Sequence, residues 1–442
     1  MHRVCISSSG WHMRFRQKKT ALDGRMFGAA RPAHSWAADV GPSLVTIASD
    51  NDPSGLATYT LAGAWYGFDL LWVCVLSYPS TVALQLIAAR VAAITRQGLT
   101  TNMREHYSRL FFYFAVARFV IANTFNIAVD VLAMGIALSS LVGGSLLWLT
   151  LASGCASLVL QWSVAYARYA RVLKWLTLAM FAYVGVILLV DVPWRLVAIR
   201  SVIPRVEWTE GYMSMLIAVL GTTVSPYLLF AQAEQEVRDA RESGDRGEAL
   251  ERTMRGVRRD TLWRTACSNA IAICVMIAAA ATLHLLDHAS AGDTVSMSRV
   301  LEPLAHGYAR QVLALALLGS ALLALPPLAG SAAQAVASSF RWKRGERRDR
   351  RIAYVLVATI ALGTIAAVVL THYHVDPVRA LYWSAVVNGM TVTPVLVLLV
   401  LLSSKREAVG DLAAHWALRA LSWLATIATA AAVIAHFILE VQ

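Results

Sequence analysis

At 442 residues, 57% of them hydrophobic and only 15% charged, the chain is too apolar for an ordinary soluble domain, and a mean hydropathy of +0.56 indicates a protein that crosses a membrane several times. A net charge of +12 would suit nucleic acid, but the positions of Lys and Arg exclude that partner. With the N-terminus inside, 32 of the 39 fall in cytoplasmic stretches and 6 in outer loops, while Arg118 lies within the third apolar segment, so the charge is topological.

Residues 1–38 are polar and basic and lack the apolar core of a signal peptide. They are expected to form a disordered cytoplasmic tail, with Met26 as an alternative start. Eleven apolar segments follow, centred near 54, 82, 126, 155, 180, 224, 273, 322, 361, 390 and 425. An odd number of crossings puts the C-terminus outside, in a membrane of the bacterial inner (plasma) type.

The first segment carries ASDNDPSGLATYTLAGAW, residues 49 to 66, in which Asp50, Asn51 and Asp52 interrupt an otherwise apolar span. Asp-Pro is a helix start, the carboxylate capping free amides and Pro taking the first helical position, yet here it sits mid-membrane. The stretches 41–51 and 55–66 are each too short to cross alone. Two half-helices end to end must make one crossing, with unwound backbone between them that only protein or a watery cavity can surround. Capping accounts for one aspartate but not two, and an ionised group at membrane depth marks a substrate path by default. The last carbonyls of the first half, near Ser49, face the same gap and add partial negative charge. Asp52 is therefore read as an ion ligand. Asp50 is read either as a second ligand or as a group that takes a proton or pairs with another polar side chain.

Gly67–Asp69 and Gly143–Ser145 are tight outer turns that make hairpins of the first two and the next two spans. The third span contains NIAVDVLAMGIAL, with an acid at Asp130. The sixth repeats the grammar of the first, breaking at Gly221-Thr222-Thr223-Val224-Ser225-Pro226, where the Thr222 carbonyl and the Ser225 hydroxyl can face a gap. Matching breaks in the first and sixth spans divide the chain into two five-helix units, 39–195 and 208–402, followed by an eleventh span at 410–442. Because five is odd the units run in opposite orientations, an inverted repeat whose interrupted helices point to a transporter site at the midplane.

The connection EQEVRDARESGDRGEALERTMRGVRRD is expected to be a solvated helical extension, and RWKRGERRDRR a basic turn. His284 and His288 stand four apart with Asp287 between them, and His372, His374 and Asp376 crowd a loop. Such spacings can bind metal, though ordinary interfacial or loop roles account for them. Asn388, Thr391 and Thr393 precede Pro394 in the tenth span, which is expected to loosen there and offer oxygen to the path, or else to hydrogen-bond between helices. Cys5, Cys74, Cys155, Cys267 and Cys274 are scattered without a CxxC pair and read as small packing residues.

VGPSLVTIASDNDPSGLATYTLAGAWYGFDLLWV resembles the first helices of the Nramp divalent-metal transporters, and GTTVSPYLLFAQA resembles their sixth helix. The resemblance implies an all-α integral membrane protein with a LeuT-like 5+5 inverted repeat and an additional eleventh helix, working by alternating access on a divalent ion held between the first and sixth helices. The family signatures are Asp-Pro-Gly-Asn and Met-Pro-His, and the match is partial. Asp52 and Pro53 are kept, Gly55 falls at the metal-binding asparagine, Ser225 at the methionine and Tyr227 at the histidine. The carbonyls of Ser49 and Thr222 fall where the family uses backbone oxygens. Asp130 matches a glutamate of the third helix, and Ile127 replaces an aspartate that the family associates, like the histidine, with proton movement.

A thioether selects soft transition metals, so its loss leaves a roomier, oxygen-only pocket. Mg²⁺ prefers one or two carboxylates and retained waters, and the pattern is similar to the Nramp-related magnesium transporters. The expected function is transport of Mg²⁺, and of Mn²⁺, without obligatory proton coupling. The alternatives are a proton-coupled Mn²⁺/Fe²⁺ importer and, further off, a Na⁺-coupled amine or amino-acid transporter. An intramembrane enzyme would need a nucleophile and base or a zinc motif, and neither HExxH nor GxSxG is present. The transported ion and the bilayer are the expected partners, with no cofactor, no nucleic acid and no obligatory protein partner.

Overall fold

The computed structural model describes residues 50–164, 173, 175–242, 248–285, 294–342, 345–405 and 415–441. The basic tail, Ser49 and most of the first half-helix lie outside the described residues, as do Asp287 and His288. Asp50 is helical, Asn51 and Asp52 are not, and α1 (Pro53–Tyr66) follows. A four-residue link at 67–70 leads into α2 (Leu71–Thr95), then the short α3 (Leu99–His106), the long α4 (Arg109–Val142) and α5 (Leu146–Ser163). Gly67, at φ 57°, and Gly143 and Gly144, at φ 73° and 103°, make the two expected turns, because only glycine adopts such values freely.

Of the fifth span, residues 165–172 and 174 lie outside the described residues. A 3₁₀ stretch at Leu176–Phe181 runs into α6 (Ala182–Leu189), and α7 (Trp194–Val202) fills the link to the second unit. The sixth span is split into α8 (Glu210–Thr223) and α9 (Pro226–Glu242). Helix α10 (Glu248–Ala279) continues as a π-turn at Ala280–His284. The charged connection is thus helical on both sides of residues 243–247, which are not described. Two small helices, α11 (Thr294–Arg299) and α12 (Glu302–Ala305), precede α13 (Ala309–Ser339), α14 (Glu346–His372), α15 (Pro377–Ser404) and α16 (Trp416–Val441).

Among the described residues nine helical stretches are long and apolar enough to cross a bilayer. The first and fifth expected spans stand outside that set, the first because α1 is half a crossing and the fifth because its described α-helix is short. Helices α4 and α13 form the centre, joined where Asn123 Nδ2 of α4 donates to the Leu328 carbonyl at 3.1 Å and to Ser331 Oγ at 3.0 Å. At the end expected to face outward, Asp69 in the first turn pairs with Arg200 at 3.1 Å and Arg205 at 3.4 Å, tying the α1–α2 hairpin to the link that follows α6.

Two backbone-to-backbone approaches carry the broken helices. A Cβ at Gly63 of α1 would strike the Met276 carbonyl and the Ala280 amide of α10. Gly221 of α8 and Gly389 of α15 lie against each other's helix, a Cβ on Gly389 falling inside contact distance of the Ile217 carbonyl. Small residues let helices close in lipid, where dispersion rather than water exclusion binds them. Gly389→Ala is expected to destabilise the protein by about 1–3 kcal/mol through overpacking. Thermal unfolding in detergent measures it, and an unchanged midpoint would show that α8 and α15 are free to part.

Candidate metal site

The geometry begins at Asp52. Its backbone is extended, at φ −65° and ψ 168°, and its Oδ1 accepts the Gly55 amide at 2.7 Å as the N-cap of α1, with Pro53 in the first helical position. The expected cap is therefore present. It holds a carboxylate at a buried helix start, where the free amides favour negative charge. A Cβ at Gly55 would lie 3.3 Å from Asp52 Oδ1 and 3.9 Å from Thr222 Cβ, so the two breaks meet at this glycine.

Both flanks of the first break are tied down. Asn51 Nδ2 donates to Ser268 Oγ of α10 at 2.9 Å, and Ser54 Oγ donates to the Leu381 carbonyl of α15 at 2.7 Å. The second break is narrow, spanning only Val224 and Ser225. Its two expected oxygen donors engage each other: Ser225 Oγ donates to the Thr222 carbonyl at 2.9 Å, with the Gly221 carbonyl at 3.2 Å. A hydroxyl that donates its proton in this way keeps its own lone pairs for a cation.

Asp50 is half-buried, with Oδ1 sealed from solvent and without a hydrogen-bond partner. It lines a cavity of about 20 Å³ with Tyr59, Gln85, Thr222, Thr265 and Ser268, room for roughly one water molecule. Asp130 of α4 is completely buried, and neither carboxyl oxygen has a hydrogen-bond partner. It lies within electrostatic reach of Asp52, and Tyr227, buried in the first turn of α9, feels Asp50, Asp52 and Asp130 together. The three acids surround one region without closing on one point. Among the described residues no three His, Cys, Asp or Glu side chains gather tightly enough to hold an ion unaided. Hydroxyl, carbonyl or water oxygens would have to complete any shell.

Asn388 and Thr391 are buried in α15. Ser384, one turn before Asn388, donates to Asn126 Oδ1, one turn before Asp130, so a polar seam joins α15 to α4. The expected loosening at Pro394 does not occur: α15 runs unbroken from Pro377 to Ser404. Proline removes the donor to the carbonyl four residues earlier, that of Met390, and Arg118 Nη2 takes that carbonyl at 3.3 Å. The position of Arg118 inside the third span is thereby explained.

Of the outer His and Asp residues, His284 and Asp376 have local partners. His284 Nδ1 lies 3.1 Å from the Ala64 carbonyl and Asp376 caps α15, its Oδ1 accepting the Arg379 amide at 2.9 Å. Sequence reasoning missed Asn51, Ser54, Gln85 and Arg264. Asn51 and Gln85 were legible as polar residues in apolar spans, whereas nothing local distinguished Arg264 from the other basic residues of its connection.

A profile of the Natural resistance-associated macrophage protein-like family matches residues 43–439. The chain belongs to the Nramp family. A relative in Klebsiella pneumoniae (strain 342), "Divalent metal cation transporter MntH", is 25% identical over 87% of this chain and 90% of its own length. A crystal structure of a mutant Eremococcus coleocola manganese transporter superposes with a TM-score of 0.73 at 17% identity, covering 93% of this chain and 89% of that one. Mhp1, a nucleobase-cation-symport-1 family transporter, in a closed conformation gives 0.57 at 11% identity over 91% and 90%. This Nramp chain thus has the LeuT-like fold of an integral membrane protein.

Asp52→Asn separates cap from charge, since asparagine caps as well as aspartate. Ion flux in proteoliposomes is expected to vanish while the unfolding midpoint stays near wild type; undiminished flux would reduce Asp52 to its cap.

Proposed function

We propose that the chain carries divalent metal ions across the membrane by alternating access, Mg²⁺ first and Mn²⁺ also, without obligatory proton coupling, with the N-terminus in the cytoplasm of a bacterial-type inner membrane. The observation that carries this reading is the all-oxygen character of the place where the breaks meet: the Asp52 carboxylate, the Thr222 carbonyl, the Ser225 hydroxyl and Asp50, which shares a cavity with Thr222. Hard cations take such donors, and Mg²⁺ is commonly held by one or two carboxylates with water filling the rest. Gly55 lets the two breaks approach closely, since even a Cβ there would crowd Asp52 Oδ1, and the Ser49 carbonyl is proposed as a further donor. The named relatives that transport divalent metal or manganese support the cargo class.

Alternating access is supported by how the breaks are carried. Gly63 seats α1 on α10, and Gly221 with Gly389 seats α8 on α15, so each break has its own close helix contact, the two being linked by the Ser54–Leu381 hydrogen bond. A cavity of about 20 Å³ admits a bare ion or one water, and a partly hydrated ion requires those pairs to separate. Carriage of an amino acid fits less well, because the helix start that would bind its carboxylate is capped by Asp52.

The second reading, a proton-coupled Mn²⁺/Fe²⁺ importer, draws on Asp130, whose sealed and unpartnered carboxyl is a candidate proton carrier next to Asp52, with Tyr227, Asn388 and Thr391 along the way. Reconstituted protein with an internal pH dye separates the two. Saturable Mg²⁺ entry without acidification is expected; Mn²⁺ entry with acidification and no Mg²⁺ flux would establish the proton-coupled reading instead. Ser225→Met should move preference toward Mn²⁺ over Mg²⁺ by about tenfold or more, as a thioether does for softer ions. An unchanged ratio in competition uptake would remove Ser225 from the ion's shell.

A further inference from the structure

Arg264 of α10 is only 9% exposed, unlike the solvated Arg258 and Arg259 of the connection just before it. Its Nη2 donates to Gln85 Oε1 of α2 at 3.1 Å and Gln232 Oε1 of α9 at 3.3 Å. The glutamines are themselves fixed: Thr265 Oγ1 donates to Gln85 Oε1 at 3.2 Å, and Gln232 Nε2 donates to Thr261 Oγ1 at 3.2 Å. Three helices therefore orient the guanidinium with neutral amides, which satisfy hydrogen bonds without cancelling charge. The Arg264 Nε is buried and has no hydrogen-bond partner. Gln85 and Thr265 line the same small cavity as Asp50, whose own Oδ1 is sealed and unpartnered. Arg264 lies within electrostatic reach of Asp50, as do Asp52 and Asp260.

A site with two carboxylates faces an electrostatic problem whenever the ion has left, since uncompensated negative charge in a low-dielectric span is expensive. Arginine solves it with a cation that is always charged and never diffuses away. We propose that Arg264 is the resident counter-charge of the ion-free site, balancing Asp50 when the divalent ion is absent and so permitting the empty transporter to change conformation. A bound divalent ion takes over that role. Arg264 then contributes nothing to the crossing of the loaded protein, and it acts as a positioning residue rather than an ion ligand. The inference rests on the transport reading above, and it supplies a physical reason for a cycle that returns without a proton.

Net uptake requires the empty protein to return, whereas exchange of ions across the membrane requires only the loaded one to cross. In proteoliposomes of the full chain, R264Q is expected to reduce net uptake of radioactive Mn²⁺ into Mn²⁺-free vesicles by at least about tenfold, as loss of a buried charge partner does, while exchange against internal Mn²⁺ stays within about twofold of wild type. R264K, which keeps the charge, should keep the wild-type ratio of net uptake to exchange. Equal loss of both processes in R264Q, with R264K equally impaired, would make Arg264 a structural residue and overturn the proposal, as would undiminished net uptake. Wild-type vesicles that show neither process would instead overturn the transport reading itself.

Discussion

In a bilayer every backbone amide and carbonyl must find a partner inside the protein, and the rest of this structure follows from how that constraint is met at two interrupted helices. At the first break Asp52 takes the Gly55 amide, and its neighbours Asn51 and Ser54 reach out to α10 and α15. At the second, the Ser225 hydroxyl returns to the carbonyls of its own helix end. The same rule explains Arg118, which supplies the donor that Pro394 denies to Met390.

What the backbone does not use is charge. Asp50 and Asp130 keep carboxyl oxygens without hydrogen-bond partners, and both, with Asp52, act on the buried Tyr227. Buried carboxylates left in this way destabilise a fold unless something of opposite charge visits or resides there. A divalent cation is the visitor suited to oxygen donors, and Arg264, anchored by Gln85 and Gln232, is the resident charge. Stability of the site and its capacity to take a cation are two sides of one electrostatic account.

Packing then decides which parts form units. Two glycine contacts bring helices together, one for each broken helix: Gly63 sets α1 against α10, and Gly221 with Gly389 sets α8 against α15. The π-turn at Ala280–His284 closes over the end of α1, where the His284 ring lies against Gly67 and reaches the Ala64 carbonyl. A histidine that by spacing suited a metal is thereby engaged in holding two helices.

The sequence by itself determined the helical membrane class, the two breaks and the aspartate between the first pair of half-helices, because proline, capping residues and hydrophobic length act locally and are written in order along the chain. It also carried the family signature at Asp52 and Pro53. Only the tertiary structure decided that Gly55 faces Thr222, that Asp130 lies within electrostatic reach of Asp52, and that α15 continues unbroken past Pro394 while Arg118 serves the freed Met390 carbonyl. Only there does Arg264 become distinct from the seven other basic residues of its connection, since its role depends on Gln85 and Gln232 from two other helices. Contacts between residues far apart in the chain have no local signal, and a site built between helices consists almost entirely of such contacts.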